Sequence, residues 1–182
     1  MQYLELFLRG FGTNVLITIL AAIVPITAGI LLSLLARVNS KVSAVISAIS
    51  IPFESILIPV AITICYYALI RIIHIGNARV LRTFLVVFVL ALTHWLYMPA
   101  RYNEHFSFLK NILYNSLGLL SSLFKWSFVS FTIGVADAFS ASRNVYAITF
   151  DGFWSFWVTL LGAFCILFFV EIARWLIKTF MK

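Results

Sequence analysis

The stretch that decides the fold is GFGTNVLITILAAIVPITAGILLSLLA, residues 10–36. It carries no charged residue and is longer than the roughly 20 residues that a membrane-spanning helix needs. A cleaved signal peptide has a shorter apolar region that ends at a small-residue cleavage site. We therefore interpret this run as an uncleaved first span. Asn14 and Thr18 share one helical face within it, which predicts hydrogen bonds to neighbouring helices or contact with a polar substrate.

The composition of the whole chain agrees with a membrane protein. Apolar residues make up 63% of the sequence and charged residues 10%, whereas a soluble chain is about half apolar and about a quarter charged. The 182 residues leave room for about five transmembrane helices with short connections. We therefore predict an all-α integral membrane protein that forms a single transmembrane domain over residues 1–182.

The predicted spans differ in how polar they are. The second apolar segment is interrupted by Pro52, Glu54 and Pro59, which predicts a short interfacial helix followed by a span. The fourth contains several small and hydroxyl residues, as expected of a helix that faces other helices or a pathway. The five segments are residues 10–36, 42–70, 83–100, 111–135 and 152–170.

The basic residues give the predicted orientation. The net charge of +7 is dispersed in single residues between apolar runs, which favours contacts with lipid headgroups over a nucleic-acid site. With the N-terminus outside, the cytoplasmic side receives Arg37, Lys41, Arg101, Lys110, Arg174, Lys178 and Lys182. The outside then receives Arg9, Arg71, Arg79, Arg82 and Arg143. The positive-inside rule therefore predicts a cytoplasmic C-terminus.

A motif in the second half of the chain carries a family resemblance. Its residues in order are Lys125, Ser127, Ile133-Gly134-Val135, Asp137, Thr149-Phe150 and Phe153. The pattern and its spacing resemble the C-terminal part of polar amino-acid ABC permeases, in which a lysine and a Ser/Thr pair precede I-G-V, an acidic residue and T-F-x-x-F. The resemblance extends from Lys125 to Lys178 and implies a fold like that of a type I ABC importer permease.

Two departures from the family pattern lie outside this region. The segment around Phe53 occupies the place of the family's F-R-G-T-P motif, but Glu54 stands where the arginine would be. Between the third span and Lys125 the family carries an E-A-A coupling helix that docks into the ATPase. This chain has only residues 101–110 there, without such a motif, so fold and membrane placement are implied more directly than coupling to ATP.

Candidate pathway residues follow from polar side chains in apolar surroundings. Lys125 lies within an apolar region, where a charge is costly unless it is paired or reaches the headgroups. It is therefore either a pathway residue or a snorkelling lysine. Ser127 and Ser130 could present hydroxyls to a substrate or bond to the backbone and neighbouring helices. Asn14, Thr18 and Glu54 complete the predicted substrate-pathway set, and Glu54 has an interfacial position as its alternative.

Other polar residues are expected to be structural. Asp137 is predicted to cap a helix locally, and His94 to be a hydrogen-bonded histidine at a helix interface. The three histidines lack the spacing that places two metal ligands on one helical face. There is no Walker A loop and no G-x-S-x-G elbow. We therefore expect no catalytic residue, metal or cofactor, and any ATP hydrolysis would belong to a partner.

The resemblance implies a permease-like subunit of an ABC-type importer for polar amino acids or similar small solutes. It also implies a multi-pass protein of the bacterial cytoplasmic (inner) membrane. Besides the lipid bilayer, the implied partners are a second permease subunit in a homo- or heterodimer, an ABC ATPase and a periplasmic or extracellular substrate-binding protein. The alternative is an accessory or degenerate permease-like protein with a structural or regulatory role and no ATP coupling of its own, which the missing coupling helix favours.

Overall fold

The computed structural model describes residues 2–38, 40–54, 57–72, 78–101, 103 and 105–181. These residues form eight α-helices and one 3-10 helix. In chain order the elements are α1 (Gln2–Val38), α2 (Ser40–Glu54), α3 (Ile58–Ile72), α4 (Ala78–His94), α5 (Tyr97–Ala100), α6 (Phe108–Ser127), the 3-10 helix (Phe128–Ile133), α7 (Ala138–Thr149) and α8 (Gly152–Phe180).

Four helical segments are long and apolar enough to cross a membrane. They are Tyr3–Leu35, Val80–Ala100, Phe108–Ile133 and Gly152–Phe180. A fifth apolar helix, α3, is 15 residues long and falls short of that length. Helices satisfy every backbone hydrogen bond within one segment, which lipid requires. The prediction of an all-α membrane protein with about five transmembrane helices is confirmed, with four helices of full length.

Helix bounds differ from the predicted spans in a regular way. Helix α1 begins at Gln2 rather than near residue 10, and α8 continues to Phe180, ten residues beyond the predicted segment. Hydropathy marks the lipid-facing part of a helix, and the polar turns that continue it at each end are invisible to that measure. The second segment divides into α2 and α3, as its prolines and Glu54 predicted.

The main core forms where α1, α3, α4 and α6 meet. Ile17, Ile62, Leu90, Leu119 and Leu123 are fully buried in it. Helix α6 packs between α1 and α8, whereas few residues in the central part of α8 are buried. In a membrane protein such a face is covered by lipid or by another subunit. The core therefore fixes α6 on one side and leaves the α8 side available to the surroundings.

Side-chain contacts define the two ends of the helix bundle. At one end, which we call the Lys110 end, Lys110 Nζ donates to the carbonyl of Met181 over 2.6 Å and joins the start of α6 to the end of α8. At the opposite, Asp137 end, Arg82 Nη1 donates to the carbonyl of Gly134 over 3.3 Å. The second contact joins the start of α4 to the turn that follows the 3-10 helix.

The connection between α4 and α6 is short and is held by a stacking contact and several hydrogen bonds. Its described residues contain only the four-residue helix α5. Arg101 stacks on the Tyr97 ring, with Cζ 3.9 Å from the ring centroid. Asn111 Oδ1 accepts from the N–H of Asn103, and Asn111 Nδ2 donates to the Asn103 carbonyl over 2.7 Å. Within these described residues there is no helix of the length that the family's coupling element has.

Candidate functional site

A buried polar cluster joins α1 to α6 and α7 near the Asp137 end. Asn14 is fully buried, and its Nδ2 donates to Ser127 Oγ over 2.9 Å while its Oδ1 accepts from the N–H of Ala138 over 3.0 Å. Ser127 Oγ in turn donates to the Phe124 carbonyl, and Thr18 Oγ1 donates to the Asn14 carbonyl. Both side-chain groups of Asn14 are therefore occupied by partners from other helices, as the hydrogen-bonding alternative predicted.

Ser130, another predicted pathway residue, bonds to the carboxylate that caps α7. Ser130 Oγ donates to Asp137 Oδ2 over 2.6 Å, and the N–H of Ser140 donates to Asp137 Oδ1 over 2.8 Å. Asp137 is the N-cap of α7, so the predicted local cap is confirmed. Burial raises the pKa of Asp137 above its ordinary value, although the bonds from Ser130 and Ser140 act in the opposite direction.

Glycines allow the polar cluster to close. A Cβ on Gly10 would lie 2.8 Å from the Ala138 backbone, so α1 and α7 touch at this point without an intervening side chain. Gly134 ends the 3-10 helix with φ of 76°, the left-handed conformation that glycine adopts without a steric penalty. A Cβ on Gly134 would also lie 2.7 Å from Arg82 Nη1. The Gly134–Arg82 contact was not predicted from the sequence.

Lys125 lies outside the polar cluster, although Ser127 is only two residues away. Its side chain is exposed and lines an apolar groove of about 210 Å³ between α6, α7 and α8. Within the described residues it has neither a hydrogen-bond partner nor an ion-pair partner. The other groove residues are Phe128, Phe139, Phe156, Thr159, Leu160, Ala163 and Leu167. The structure therefore separates Lys125 from the other members of the predicted set.

The packing of α6 against α8 gives the position of Lys125 along α8. Ser121 Oγ donates to Glu171 Oε1, and Lys110 contacts Met181, so the two helices run antiparallel with a constant offset. This offset brings Lys125 beside Leu167, which lines the same groove. Leu167 is close to the middle of the 29-residue helix α8. Lys125 therefore lies beside the middle of α8, about 20 Å along the axis from either end of that helix at about 1.5 Å per residue.

A charged cluster toward the Lys110 end was missed at the sequence level. Arg174 Nη1 pairs with Glu171 Oε2 over 2.8 Å, and Arg174 Cζ lies 4.5 Å from the centroid of the Tyr114 ring. A Cβ on Gly118 would lie 3.2 Å from Arg174 Cζ, so this glycine leaves room for the guanidinium. The available signal was the acidic and basic pair at i, i+3 in an apolar helix, where each charge requires a partner.

His94 behaves as the sequence predicted. Its Nδ1 lies 3.0 Å from the Leu90 carbonyl, and its Nε2 lies 3.1 Å from Ser122 Oγ on α6. It is a buried, hydrogen-bonded histidine between α4 and α6. Over the part of the chain that the structure describes, no three His, Cys, Asp or Glu residues lie close enough together to hold a metal ion.

Four of the six predicted pathway residues are thus brought together, and Lys125 lies apart from them. Asn14, Thr18, Ser127 and Ser130 lie in the buried region around α1 and α6, whereas Lys125 faces the groove. Glu54 ends α2, and its side chain lies outside the part of the chain that the structure describes. The expectation that these six residues line a substrate pathway stays a prediction.

Helix length, hydropathy and packing define a multi-pass membrane protein with the fold of an ABC transporter permease. The chain is similar to one in a solved structure described as the crystal structure of an amino acid ABC transporter with histidines. The similarity has a TM-score of 0.74 and 17% sequence identity, and it covers 96% of this chain and 94% of that one. No protein-family model matches the sequence, and no curated protein matches it.

Proposed function

We propose that this chain is a transmembrane subunit of an ABC-type importer for amino acids or similar small solutes. The observation that carries the proposal is the similarity of fold along almost the whole length of both chains, because it includes the arrangement of the helices and not only their number. The motif from Lys125 to Phe153 supports the same function from the sequence.

In this proposal the pathway of the solute lies next to Lys125. An unpaired ammonium within an apolar span costs several kcal/mol, up to about 2.5–3.5 on insertion scales, when lipid surrounds it. The groove face is therefore covered in the working assembly, and we propose that a second membrane subunit, identical or related, covers it. The path for the solute then runs between the two subunits beside Lys125.

The buried polar residues have a different role in the proposal. Asn14 and Ser127 bond to each other, and Ser130 bonds to Asp137, so their polar groups are engaged within the subunit. We propose that they are positioning residues, which hold the end of α6 at the height where Lys125 enters the groove. Thr18, bonded to the Asn14 carbonyl, belongs to the same group.

The partners follow from the class of transporter. An ABC ATPase would supply the energy, and a periplasmic or extracellular binding protein would deliver the solute to the Asp137 end. The membrane would be the bacterial cytoplasmic membrane. These assignments rest on the family resemblance and on the similarity of fold.

A second function has a specific observation in its favour. The described residues between α4 and α6 contain only the four-residue helix α5, which gives an ATPase little surface to bind. A permease-like accessory subunit would assemble with a complete permease and add pathway or stability without binding the ATPase itself. In both proposals the chain works next to another membrane subunit.

Co-purification from the native membrane in mild detergent tests the function. We expect the tagged chain to retain a second membrane subunit and, through it, an ATPase. Recovery of the ATPase should rise when a permease with an intact E-A-A loop is co-expressed. Recovery of a permease without an ATPase would support the accessory role, and strong stimulation of the ATPase by the chain alone would contradict the need for a partner permease. Recovery of neither partner would overturn both proposals.

A further inference from the structure

The groove beside Lys125 is lined by one charged residue, one threonine and otherwise apolar residues. Resting on the proposed function, we propose that this groove selects a carboxylate that carries an aromatic group. A basic or strongly polar solute would not be matched by it. The inference narrows the broad expectation of polar amino acids to one chemical class.

The charges around the groove favour a carboxylate. Lys125 is the only charged residue that lines it, and within the described chain this lysine has no acidic partner. Three acids cap or lie in the neighbouring elements, and all three are engaged. Asp151, the N-cap of α8, accepts from the N–H of Trp154 over 3.0 Å. Asp137 accepts from Ser130 and Ser140, and Glu171 pairs with Arg174. The groove thus attracts an anion and supplies no counter-charge for a cationic side chain.

The remaining polar group in the groove is also engaged. Thr159 Oγ1 donates to the Ser155 carbonyl within α8, and Thr159 is buried. A polar side chain placed here would lose its hydrogen bonds to water without regaining them, which is unfavourable. Apolar side chains are therefore preferred over polar ones beyond the carboxylate.

The size and the walls of the groove favour an aromatic ring. Its volume of about 210 Å³ exceeds the roughly 150 Å³ of an apolar cavity that holds benzene. Phe128 and Phe139 already meet edge to face, with ring centroids 6.0 Å apart, and Phe156 forms part of the same wall. A ligand ring can join such a set in an edge-to-face or offset arrangement, which stabilises it beyond the burial of its surface.

Binding to the protein in lipid nanodiscs, together with any subunits that co-purify, tests this inference. The probes are L-phenylalanine, 3-phenylpropionate, phenethylamine and L-arginine, which separate the contributions of ring, carboxylate and cation. We expect 3-phenylpropionate to bind at least about tenfold more tightly than phenethylamine and L-arginine, because its carboxylate makes a charge-assisted contact with Lys125. L-phenylalanine should bind more weakly than 3-phenylpropionate, since its α-ammonium meets no acidic side chain in the groove.

Variants identify the groove as the binding site. Lys125→Gln should weaken binding of both carboxylates at least about tenfold, and Lys125→Arg should restore most of it. Lys178→Gln removes an exposed lysine near the end of α8 and should change nothing. Ala163→Leu keeps the lysine but fills the groove. It should weaken the binding of L-phenylalanine while thermal unfolding of the protein stays unchanged.

Several outcomes would overturn the inference. Tight binding of arginine or phenethylamine would contradict the selection of carboxylates, and unchanged binding by Lys125→Gln would place the site elsewhere. Absence of binding by all four probes to a folded protein would also reject it. Uptake of another amino acid by the intact complex would leave the proposed function standing, whereas a complex that takes up no amino acid would defeat the function as well.

Discussion

The backbone N–H of Ala138 donates to Asn14 Oδ1 over 3.0 Å and thereby fixes the start of α7 against the first third of α1. The same asparagine donates to Ser127 at the end of α6. One buried side chain therefore holds three segments in a common position.

Asn14→Ala should lower the free energy of unfolding by about 1–3 kcal/mol, because it leaves the buried N–H of Ala138 without its acceptor. Thr27→Ala is the matched control, since the Thr27 hydroxyl is exposed and donates only within α1. We expect that change to stay within about 0.5 kcal/mol. Unfolding of the detergent-solubilised protein measures both variants, and equal losses in the two would refute the bridging role of Asn14.

Gly10→Ala and Gly12→Ala should have opposite effects, although the two positions are neighbours on α1. The added Cβ at Gly10 would lie 2.8 Å from the Ala138 backbone, which cannot move without shifting α7. We expect a loss of about 1–3 kcal/mol. Nothing lies within 4 Å of a Cβ at Gly12, so that variant should be neutral or gain up to about 1 kcal/mol in helix propensity. Comparable melting temperatures for the two variants would contradict the close packing.

Asp137 should make stability depend on pH. Burial raises its pKa above the ordinary value of 3.8, so the folded state holds the proton more firmly than the unfolded state. The stability that this adds is present below pH 3.8 and is lost as the pH rises through the higher folded pKa. Asp137→Asn should remove this pH-dependent stability, because an amide does not titrate. The cap of α7 should remain, because the amide oxygen can still accept from the N–H of Ser140. Unfolding measured across this pH range should show a smaller slope in the variant, and an unchanged slope would assign the titration to another group.

The C-terminus should lie in the cytoplasm. Lys110 and the end of α8 share one end of the bundle, and Lys178 adds a further positive charge there. A cytoplasm-active reporter fused after Lys182 should therefore be active, and a periplasm-active reporter at the same position should be silent. A reporter placed in the exposed part of α7, near Arg143, should give the reverse result. Periplasmic activity after Lys182 would invert the whole topology.

Much of the fold could be predicted from the sequence because lipid imposes one dominant requirement. Long uncharged runs such as residues 10–36 have to form helices in a bilayer, and each predicted span corresponds to a helix or to a pair of helices. Helix α7 was not predicted as an element, since its 12 residues are too short and too mixed to give a hydropathy signal. Only its cap, Asp137, was anticipated.

The candidate site was less predictable, because it depends on which helix faces meet. The polarity of Asn14 and Ser127 was visible in the sequence, but their mutual hydrogen bond joins positions 113 residues apart. The separation of Lys125 from Ser127 likewise follows from the direction of two side chains on one helix. Their spacing in the sequence places both residues at nearly the same position along the axis of α6. Only the packing of α6 against α1 and α8 determines that Ser127 is buried and Lys125 is exposed.

The link between Asn14 and residues 127–138 also orders events during biosynthesis. Ribosomes add about 5–20 residues per second, so α1 is made roughly 6–25 s before both of its partners exist. During that interval the asparagine amide resides in the bilayer without the bonds it has in the folded protein. Helix α1 tolerates this because it is the most apolar of the candidate spans. The first helix therefore enters the membrane by its hydrophobicity alone. Asn14 forms its hydrogen bonds to other segments only when the last third of the chain has been synthesised.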